Sequence, residues 1–357
     1  MIKYAEFCAG IGGFRLGIEK SLLDAHLVYS NEIDPNCEVT YKTNFGQGFD
    51  SKNIFDINPA LLPNFNLMCS GFPCQPFSQA GKELGFTDSR GAVFFKLLEI
   101  VQIKKPDIIF LENVPNLIKH NKGQTYNFIA RSLQNEGYEI FAQVLDSTYF
   151  GVPQKRPRIY IIGLHKDKYK SKNFSFTKRI TAQTALKPFL HPGDYSIPIS
   201  KKWEDYIDLY TNKKSINDIF FPVPKTRIAL ERISDNCDVS DCVFQIRSSG
   251  IRAYSLNSPF PTFAVSNSGG GAMIPVLSKE RRHLNLTEMR RIMGFPEWYD
   301  MSKVSRTNAI KQLANAVCPP VITSICNDLF AQVFSISRYF IKRSEMSSPV
   351  ANTMEDV

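Results

Sequence analysis

Cys74 lies between Pro73 and Pro76 in the stretch GFPCQPFSQAG. A buried structural cysteine needs no such pair of turn-forming neighbours. A catalytic thiol reacts as the thiolate and usually has a histidine nearby that takes its proton. This stretch contains no histidine, so any group that activates Cys74 must come from elsewhere in the chain.

Two further segments carry charged side chains near the predicted ends of strands. In LENV, Glu112 ends an apolar run, and a glutamate at the carboxyl end of a parallel strand faces the crevice of the sheet. In QKRPRIYIIG, Arg156 and Arg158 are two residues apart in an extended segment. They should therefore point to the same face and suit a phosphate or a carboxylate. A capping role for Glu112 and a solvated basic edge are the alternatives.

A glycine-rich turn follows the first predicted strand in FCAGIGGFRLG. Gly10, Gly12 and Gly13 would let a ligand approach the backbone at the end of that strand. Glu32 in NEID ends the next strand and is placed to accept hydrogen bonds from ribose hydroxyls. The combination suits a dinucleotide or S-adenosylmethionine. Because the following FR dipeptide should crowd the turn, a cofactor without phosphates is favoured, and a turn without a ligand is the alternative.

Apolar runs and amphipathic stretches alternate through the first half of the chain. The predicted strands cover residues 4–8, 27–31, 67–70, 108–112, 141–145 and 159–164, and the clearest helices cover residues 92–105 and 125–138. This alternation predicts an α/β fold with a doubly wound, mostly parallel sheet covered on both faces. From about residue 166 to 278 the sequence is polar and punctuated by proline, which predicts a second, smaller, irregular domain.

Composition and charge narrow the class of protein. The 357 residues are 43% hydrophobic and 22% charged, as in a globular chain with a sizeable core. The chain begins without a secretory signal and has no apolar run of about 18 residues, so a cytoplasmic location without a membrane is expected. The eight cysteines lack zinc-site spacing, so no metal is expected. The net charge of +9 is compatible with a polyanionic partner.

Nine segments resemble the cytosine-5 DNA methyltransferase family, in the family's order. They are FCAGIGG, NEID, FDI, GFPCQPFS, DSRG, ENV, QKRPRI, LTEMRRIMGFP and QLANAV. The resemblance implies the fold of S-adenosylmethionine-dependent methyltransferases, and transfer of a methyl group from S-adenosylmethionine to carbon 5 of cytosine. It makes Cys74 the thiolate that adds to carbon 6. Backbone N–H groups and nearby cations would lower the pKa of this thiol in place of a histidine.

The resemblance also implies roles for the charged residues. Glu112 would protonate or hydrogen-bond ring nitrogen 3, and Asn113 would help to fix the ring. Arg158 would contact the carbonyl oxygen of the base. Arg156 would approach the loop and a backbone phosphate.

For the cofactor, the resemblance places Gly10, Gly12 and Gly13 around the methionine moiety and Glu32 on the ribose. The other residues that it assigns to the cofactor site are Cys8, Ile33, Asp56, Ile57, Pro73, Val93 and Asn315. The family more often has Phe where Cys8 stands and Gly where Ala314 stands. We expect these departures to affect cofactor affinity more than activity.

Carbon 5 of a paired cytosine lies inside the stacked duplex, so the chemistry requires base flipping. The resemblance assigns DNA contacts to Ser78, Arg252 and Thr262. Arg252 would read a guanine edge in the major groove, and Thr262 would lie near the DNA backbone. The loop of residues 78–91 would close over the flipped base.

The resemblance divides the chain into a catalytic, cofactor-binding domain (1–185), a β-rich target-recognition domain (186–304), a helical segment that returns to the catalytic domain (305–344) and a disordered tail (345–357). One compact recognition domain suggests a bacterial restriction-modification methylase that acts as a monomer on double-stranded DNA. Its functional partner would be a restriction endonuclease of the same specificity.

Three other functions were weighed against this one. A dehydrogenase with a catalytic cysteine lacks a full glycine fingerprint for pyrophosphate and leaves ENV and QKRPRI unexplained. A DNA-binding relative without activity is disfavoured because Cys74 and Glu112 are both present. A transfer RNA cytosine-5 methyltransferase of the same family would use the same cysteine loop. The segment around Arg252 and Thr262 favours DNA.

Overall fold

The computed structural model describes residues 1–73, 92–170, 172–177, 183–191, 197–233, 237–247, 250–262 and 275–334. The predictions for Cys74 and Ser78, for the loop of residues 78–91 and for the tail of residues 345–357 lie outside these ranges.

A six-stranded sheet organises the first half of the chain. The strands there are β1 (Ile2–Phe7), β2 (Ala25–Asn31), β3 (Leu67–Gly71), β4 (Ile108–Asn113), β5 (Tyr138–Asp146), β6 (Gln154–Lys155) and β7 (Pro157–His165). The sheet has the order β2-β1-β3-β4-β7-β5, and β7 is antiparallel to both of its neighbours. The predicted α/β fold is confirmed, and the sheet is mixed. Apolar runs report the burial of a strand but not its direction.

Helices cover both faces of this sheet. They are α1 (Gly13–Glu19), α2 (Pro35–Phe45), α3 (Ala92–Lys104), α4 (Asn116–Lys119) and α5 (Gln124–Asn135). Alternate residues of β4 enter opposite cores. Phe110 packs edge-on against Phe14 of α1, whereas Ile109 belongs to the cluster that contains Leu97 of α3 and Leu133 of α5. Both faces are therefore buried, as the near-continuous apolar runs predict.

A second six-stranded sheet follows. The strands of this region are β8 (Ile197–Pro198), β9 (Leu230–Arg232), β10 (Cys242–Arg247), β11 (Gly250–Ser255), β12 (Phe260–Pro261), β13 (Val276–Leu277) and β14 (Arg282–His283). The order is β8-β14-β13-β10-β11-β9, and β12 pairs instead with β6 of the first region. Helices α6 (Lys201–Tyr210) and α7 (Lys225–Ile228) accompany it. Trp203 of α6 stacks on Phe244 of β10, with ring centroids 6.2 Å apart.

The last described helices return to the first sheet. They are α8 (Leu286–Ile292), α9 (Arg306–Asn315) and α10 (Pro319–Leu329), and a π-helical turn (Phe330–Phe334) follows. Val321 and Ile322 of α10 share the core that contains Phe14 of α1. By length and composition, residues 306–334 could cross a membrane, but 61% of their apolar window is buried inside the protein. Such burial is ordinary for a core helix.

Glu6 of β1 is a charged residue inside this core. Its side chain is fully buried, and neither carboxyl oxygen has a hydrogen-bond partner among the described residues. Burial raises the pKa of Glu6 to about 8, while the positive charge of Arg15 opposes the rise and the carboxylates of Glu19 and Glu32 add to it. The folded protein therefore holds a proton on Glu6 at neutral pH.

This buried carboxyl predicts a pH-dependent stability. Between pH 4.5 and about 8 the folded state binds the Glu6 proton more tightly than the unfolded state, so the free energy of unfolding should fall as pH rises through this window. Each pKa unit corresponds to about 1.4 kcal/mol, so several kcal/mol separate the two limits. Urea unfolding at pH 5 and pH 9 measures the fall in the free energy of unfolding. The part of this fall that comes from Glu6 should be absent in Glu6→Gln.

The matched control is Glu139→Gln, which changes an exposed carboxyl on β5. It should keep the pH dependence of the unmodified protein. An unchanged pH dependence in Glu6→Gln would show that Glu6 is ionised in the folded state.

Candidate active site

A buried ion pair joins the carboxyl end of β4 to the beginning of β7. Arg158 Nε lies 3.1 Å from Glu112 Oε1, and the side chains are 14% and 11% exposed. Because β7 is antiparallel to β4, its first residues lie at the edge where β4 ends. The reversed direction of one strand thus brings together two residues that sequence analysis assigned separately to the site.

The surroundings of Glu112 favour its protonated form. Burial raises the pKa of its carboxyl, and the positive charges of Arg158 and Arg156 oppose the rise. A carboxyl with a raised pKa keeps its proton to a higher pH. It can therefore donate that proton to an acceptor that gains negative charge, which makes Glu112 a candidate general acid.

Gly71 places the end of β3 beside Glu112. It is the last residue of β3 and lies opposite Glu112 in the pairing of β3 with β4. A Cβ atom at Gly71 would lie 3.4 Å from Glu112 Oε2 and 3.3 Å from Val317 Cγ1. The backbone that leads to Cys74 therefore starts beside the carboxyl group.

The side chain of Asn113 holds the backbone just after β3. Its Nδ2 donates to the carbonyl oxygen of Phe72 at 2.9 Å, and its Oδ1 accepts from Val114 N. Asn113 is 2% exposed. The predicted role of Asn113 in fixing the substrate ring stays a prediction, and in the structure its amide holds the backbone two residues before Cys74.

Arg156 is buried, where sequence analysis expected a phosphate contact. Its Nη2 donates to the carbonyl oxygens of Ala314 and Ala316 at 2.9 and 2.8 Å, and the residue is 3% exposed. Burial, followed by the charge of Arg158, lowers the pKa of Arg156 to about 10. Arg156 lies one residue before β7 and is turned into the interior, so its burial argues against the expected contact with a DNA phosphate.

Residues 314–317, which are the end of α9 and the beginning of the turn to α10, close the site from a distant part of the chain. We call them the closing turn. Val317 lies against the positions of both Gly13 and Gly71, at 2.7 and 3.3 Å from their hypothetical Cβ atoms. Asn315, a predicted cofactor residue, is exposed in this turn. Val317 is not among the predicted site residues, and its only signal in the sequence is that it ends the QLANAV segment.

Glu32 is bonded directly to the glycine turn. Gly10 N donates to Glu32 Oε2 at 3.0 Å, and Glu32 Oε1 accepts from Ile33 N and Asp34 N at 2.8 and 3.0 Å. The residue is partly exposed at the carboxyl edge of the sheet. Each carboxylate oxygen can accept more than one hydrogen bond, so Glu32 can still bind a hydroxyl group.

The three glycines of the turn are needed for different reasons. A Cβ at Gly10 would meet nothing within 4 Å, whereas one at Gly12 would lie 2.5 Å from the Phe45 ring and one at Gly13 only 2.7 Å from Val317. Gly10 and Gly12 also have left-handed φ angles of +56° and +77°. Of the three, only Gly10 faces open space; the packing of Phe45 and Val317 requires glycine at the other two positions, and their contacts with a ligand stay a prediction.

The FR dipeptide does not crowd the turn either. Phe14 packs into the core against Phe110, with ring centroids 5.0 Å apart. Arg15 lies over the Phe45 ring, 4.1 Å from its centroid, and its Nε donates to Glu19. The bulk of this dipeptide is therefore directed away from the turn and does not discriminate against phosphates.

The remaining predicted cofactor residues differ in exposure. Ile33 is 58% exposed, and Asp56 and Pro73 are also exposed. The side chains of Ile57 and Val93 are buried in the core. Cys8 is half-buried in a left-handed conformation that is uncommon outside glycine, with φ of 54°, and burial raises the pKa of its thiol to about 12.

The two described DNA-contact candidates lie beside a cleft between the sheets. Thr262 Oγ1 donates to the carbonyl oxygen of Lys155 at 2.7 Å, next to β7. Arg252 forms an ion pair with Glu231. Both candidates line a cleft of about 510 Å³.

No group of three metal-ligating side chains occurs within the part of the chain that the structure describes. The cysteines in those ranges form no disulfide, and Cys237 and Cys242 are packed in the core of the second sheet.

Comparison with known proteins identifies relatives over almost the whole chain. The family model for C-5 cytosine-specific DNA methylases matches residues 2–331. The Type II methyltransferase M.NlaX of Neisseria lactamica is 33% identical over 344 residues, which are 94% of this chain and 99% of the relative. M.HhaI of Haemophilus parahaemolyticus is 32% identical over 333 residues, covering 92% and 94% of the two chains. M.HaeII of Haemophilus aegyptius is 33% identical over 345 residues, covering 97% and 98%.

Solved structures share the fold. The Entamoeba histolytica methyltransferase EhMeth superposes with a TM-score of 0.62 at 20% identity, covering 93% of this chain and 98% of that one. The S. pombe Dnmt2 methyltransferase superposes with a TM-score of 0.65 at 18% identity, covering 93% and 99%.

The contacts of Arg156 predict that it stabilises the closing turn. In Arg156→Met the carbonyl oxygens of Ala314 and Ala316 would lose a charged donor inside the protein, so the free energy of unfolding should fall by roughly 3 kcal/mol. Urea unfolding measures this change. The control Arg131→Met removes an exposed arginine of α5 and should change stability by less than about 0.5 kcal/mol. Equal effects of the two substitutions would contradict the structural role of Arg156.

Proposed function

The chain belongs to the C-5 cytosine-specific DNA methylase family, and we propose that it methylates carbon 5 of a flipped-out cytosine in a short duplex sequence, with S-adenosylmethionine as methyl donor. It is a DNA (cytosine-5-)-methyltransferase of the restriction-modification type. The observation that carries the residue assignments is the buried Glu112–Arg158 pair directly beside the backbone that leads to Cys74.

In the proposed reaction the thiolate of Cys74 forms a bond with carbon 6 of cytosine. The electrons of the 5,6 double bond then move into the ring and make carbon 5 nucleophilic. S-Adenosylmethionine supplies a methyl group on a positively charged sulfur, which carbon 5 can attack. Loss of the proton from carbon 5 and release of the thiolate restore the aromatic ring.

Glu112 would provide the acid for the first step. When carbon 6 is attacked, negative charge develops on ring nitrogen 3, and a neutral carboxyl group can give this atom a proton. The buried position of Glu112 keeps its pKa raised, and Arg158 stabilises the carboxylate once the proton has left. Arg158 is also the residue that we assign to the carbonyl oxygen of the base.

The edge of the sheet fits S-adenosylmethionine. Glu32 offers acceptors for ribose hydroxyls at the end of β2, and Gly10 leaves open space beside it. Asp56, exposed between α2 and β3, offers a carboxylate for the amino group of adenine. Asn315 of the closing turn would complete the pocket.

The second sheet would recognise DNA. We assign residues 186–304 to target recognition, with residues 1–185 as the catalytic domain and residues 305–344 as the segment that completes it. Thr262 fits this assignment because it donates a hydrogen bond to the backbone of Lys155. Both residues line the proposed DNA-facing cleft, which also includes Pro157, the residue before Arg158. We further propose a monomer in the bacterial cytoplasm, paired with an endonuclease of the same specificity.

The test is expression in a host without cytosine methylation, followed by bisulfite sequencing of its DNA. We expect methylation of one cytosine in a short recurring sequence, and none with Cys74→Ala. The purified Cys74→Ala protein should still bind S-adenosylmethionine, because Cys74 is not assigned to the cofactor site. If the DNA stays unmethylated and transfer RNA is methylated, the substrate is transfer RNA and not DNA.

The raised pKa of Glu112 predicts a pH profile. Only the protonated carboxyl can donate, so kcat should fall as pH rises through the raised pKa. Glu112→Gln keeps the shape but has no acidic proton, so kcat should fall roughly 10²- to 10⁴-fold and lose this alkaline decrease. Methyl transfer to duplex DNA between pH 6 and pH 9 measures both effects. An alkaline decrease that persists in Glu112→Gln would assign it to another group.

A further inference from the structure

The cleft between the two sheets contains a carboxylate that the proposed function does not yet use. Glu231 lines this cleft of about 510 Å³ together with Lys155, Pro157, Arg252 and Thr262. Pro157 immediately precedes Arg158, so the cleft adjoins the catalytic edge. Resting on the proposed function, DNA flanking the flipped cytosine would occupy this space.

Glu231 and Arg252 are opposite one another in the second sheet. They are paired residues of the parallel strands β9 and β11. Arg252 Nε lies 2.6 Å from Glu231 Oε2, and the side chains are 30% and 54% exposed. Strand pairing therefore fixes a donor and an acceptor side by side at the cleft.

A carboxylate is unfavourable in a cleft that receives a polyanion, because it repels the phosphates. A base edge can offset this cost if it offers a hydrogen-bond donor. In the major groove the donors are the amino groups of cytosine and adenine, and glutamate accepts from cytosine N4. Arginine prefers O6 and N7 of guanine.

The order of donor and acceptor in the ion pair complements one base pair. In a G·C pair, guanine O6 is an acceptor and lies beside cytosine N4, a donor. In the protein the guanidinium of Arg252, a donor, lies beside the carboxylate of Glu231, an acceptor. Arg252 Nε carries the bond to Glu231, and the terminal nitrogens are the pair that matches O6 and N7.

We propose that Glu231 determines specificity together with Arg252, and that the two read one G·C pair of the target. Arg252 binds the guanine, and Glu231 accepts from N4 of the paired cytosine. Thymine at the position of that cytosine would present O4, an acceptor, to the carboxylate and would be rejected by repulsion between the two acceptors.

The experiment measures methylation of a duplex library in which the positions around the modified cytosine are randomised. The unmodified protein should require G·C at one fixed position. Glu231→Gln can donate to thymine O4, so its preference for G·C over A·T at that position should fall roughly 10-fold or more. Arg252→Lys, which loses the two-pronged donor, should relax the same position.

Glu204→Gln is the matched control, since Glu204 is a partly exposed carboxylate paired with Lys201 on α6. It should leave the profile unchanged. Glu231→Ala provides a second variant if Glu231→Gln does not fold, with the same position expected to relax. Equal loss of rate at all sequences, or an unchanged profile with full activity, would overturn the assignment. Absence of DNA methylation by the unmodified protein would instead refute the proposed function, and this inference with it.

Discussion

The Glu112–Arg158 ion pair is the interaction on which the arrangement of the site depends. Burial at the edge of the sheet disfavours a charge on Glu112, and the guanidinium of Arg158 opposes this effect at close range. The pair exists because β7 runs against β4, so that the beginning of one strand meets the end of the other. An entirely parallel sheet would have placed Arg158 at the opposite edge, about five residues of strand away from the carboxyl group.

The same edge is completed by segments that are far apart in sequence. Gly71, at the end of β3, lies beside Glu112. The side-chain amide of Asn113 donates a hydrogen bond to the carbonyl oxygen of the next residue, Phe72. The turn of residues 314–317 then packs on Gly13 and Gly71 and is fixed by Arg156. These contacts are buried and share residues. A substitution at one of them should therefore alter the packing around both Gly13 and Glu112.

Sequence patterns predicted the existence of the elements better than their contacts. The strands and helices of the first sheet were recognisable because burial on both faces leaves long apolar runs. Glu112 and Arg158 were both identified, yet the reversed direction of β7 has no signature in hydrophobic periodicity. The burial of Arg156 and the backbone bond of Asn113 depend on tertiary contacts with residues 314–316 and Phe72, which no local pattern encodes. Likewise, Glu231 gains meaning only from its pairing with Arg252 across two strands.

The central claim is that the sulfur of Cys74 bonds covalently to the base while Glu112 acts as the acid. Duplex DNA with 5-fluorocytosine at the modified position tests this most directly, because fluorine cannot leave as a proton does and the thiolate stays bound after methyl transfer. Mass spectrometry of the digested complex should find the methylated base attached to the peptide that contains Cys74. An adduct on another residue, or free methylated product without any adduct, would contradict this mechanism.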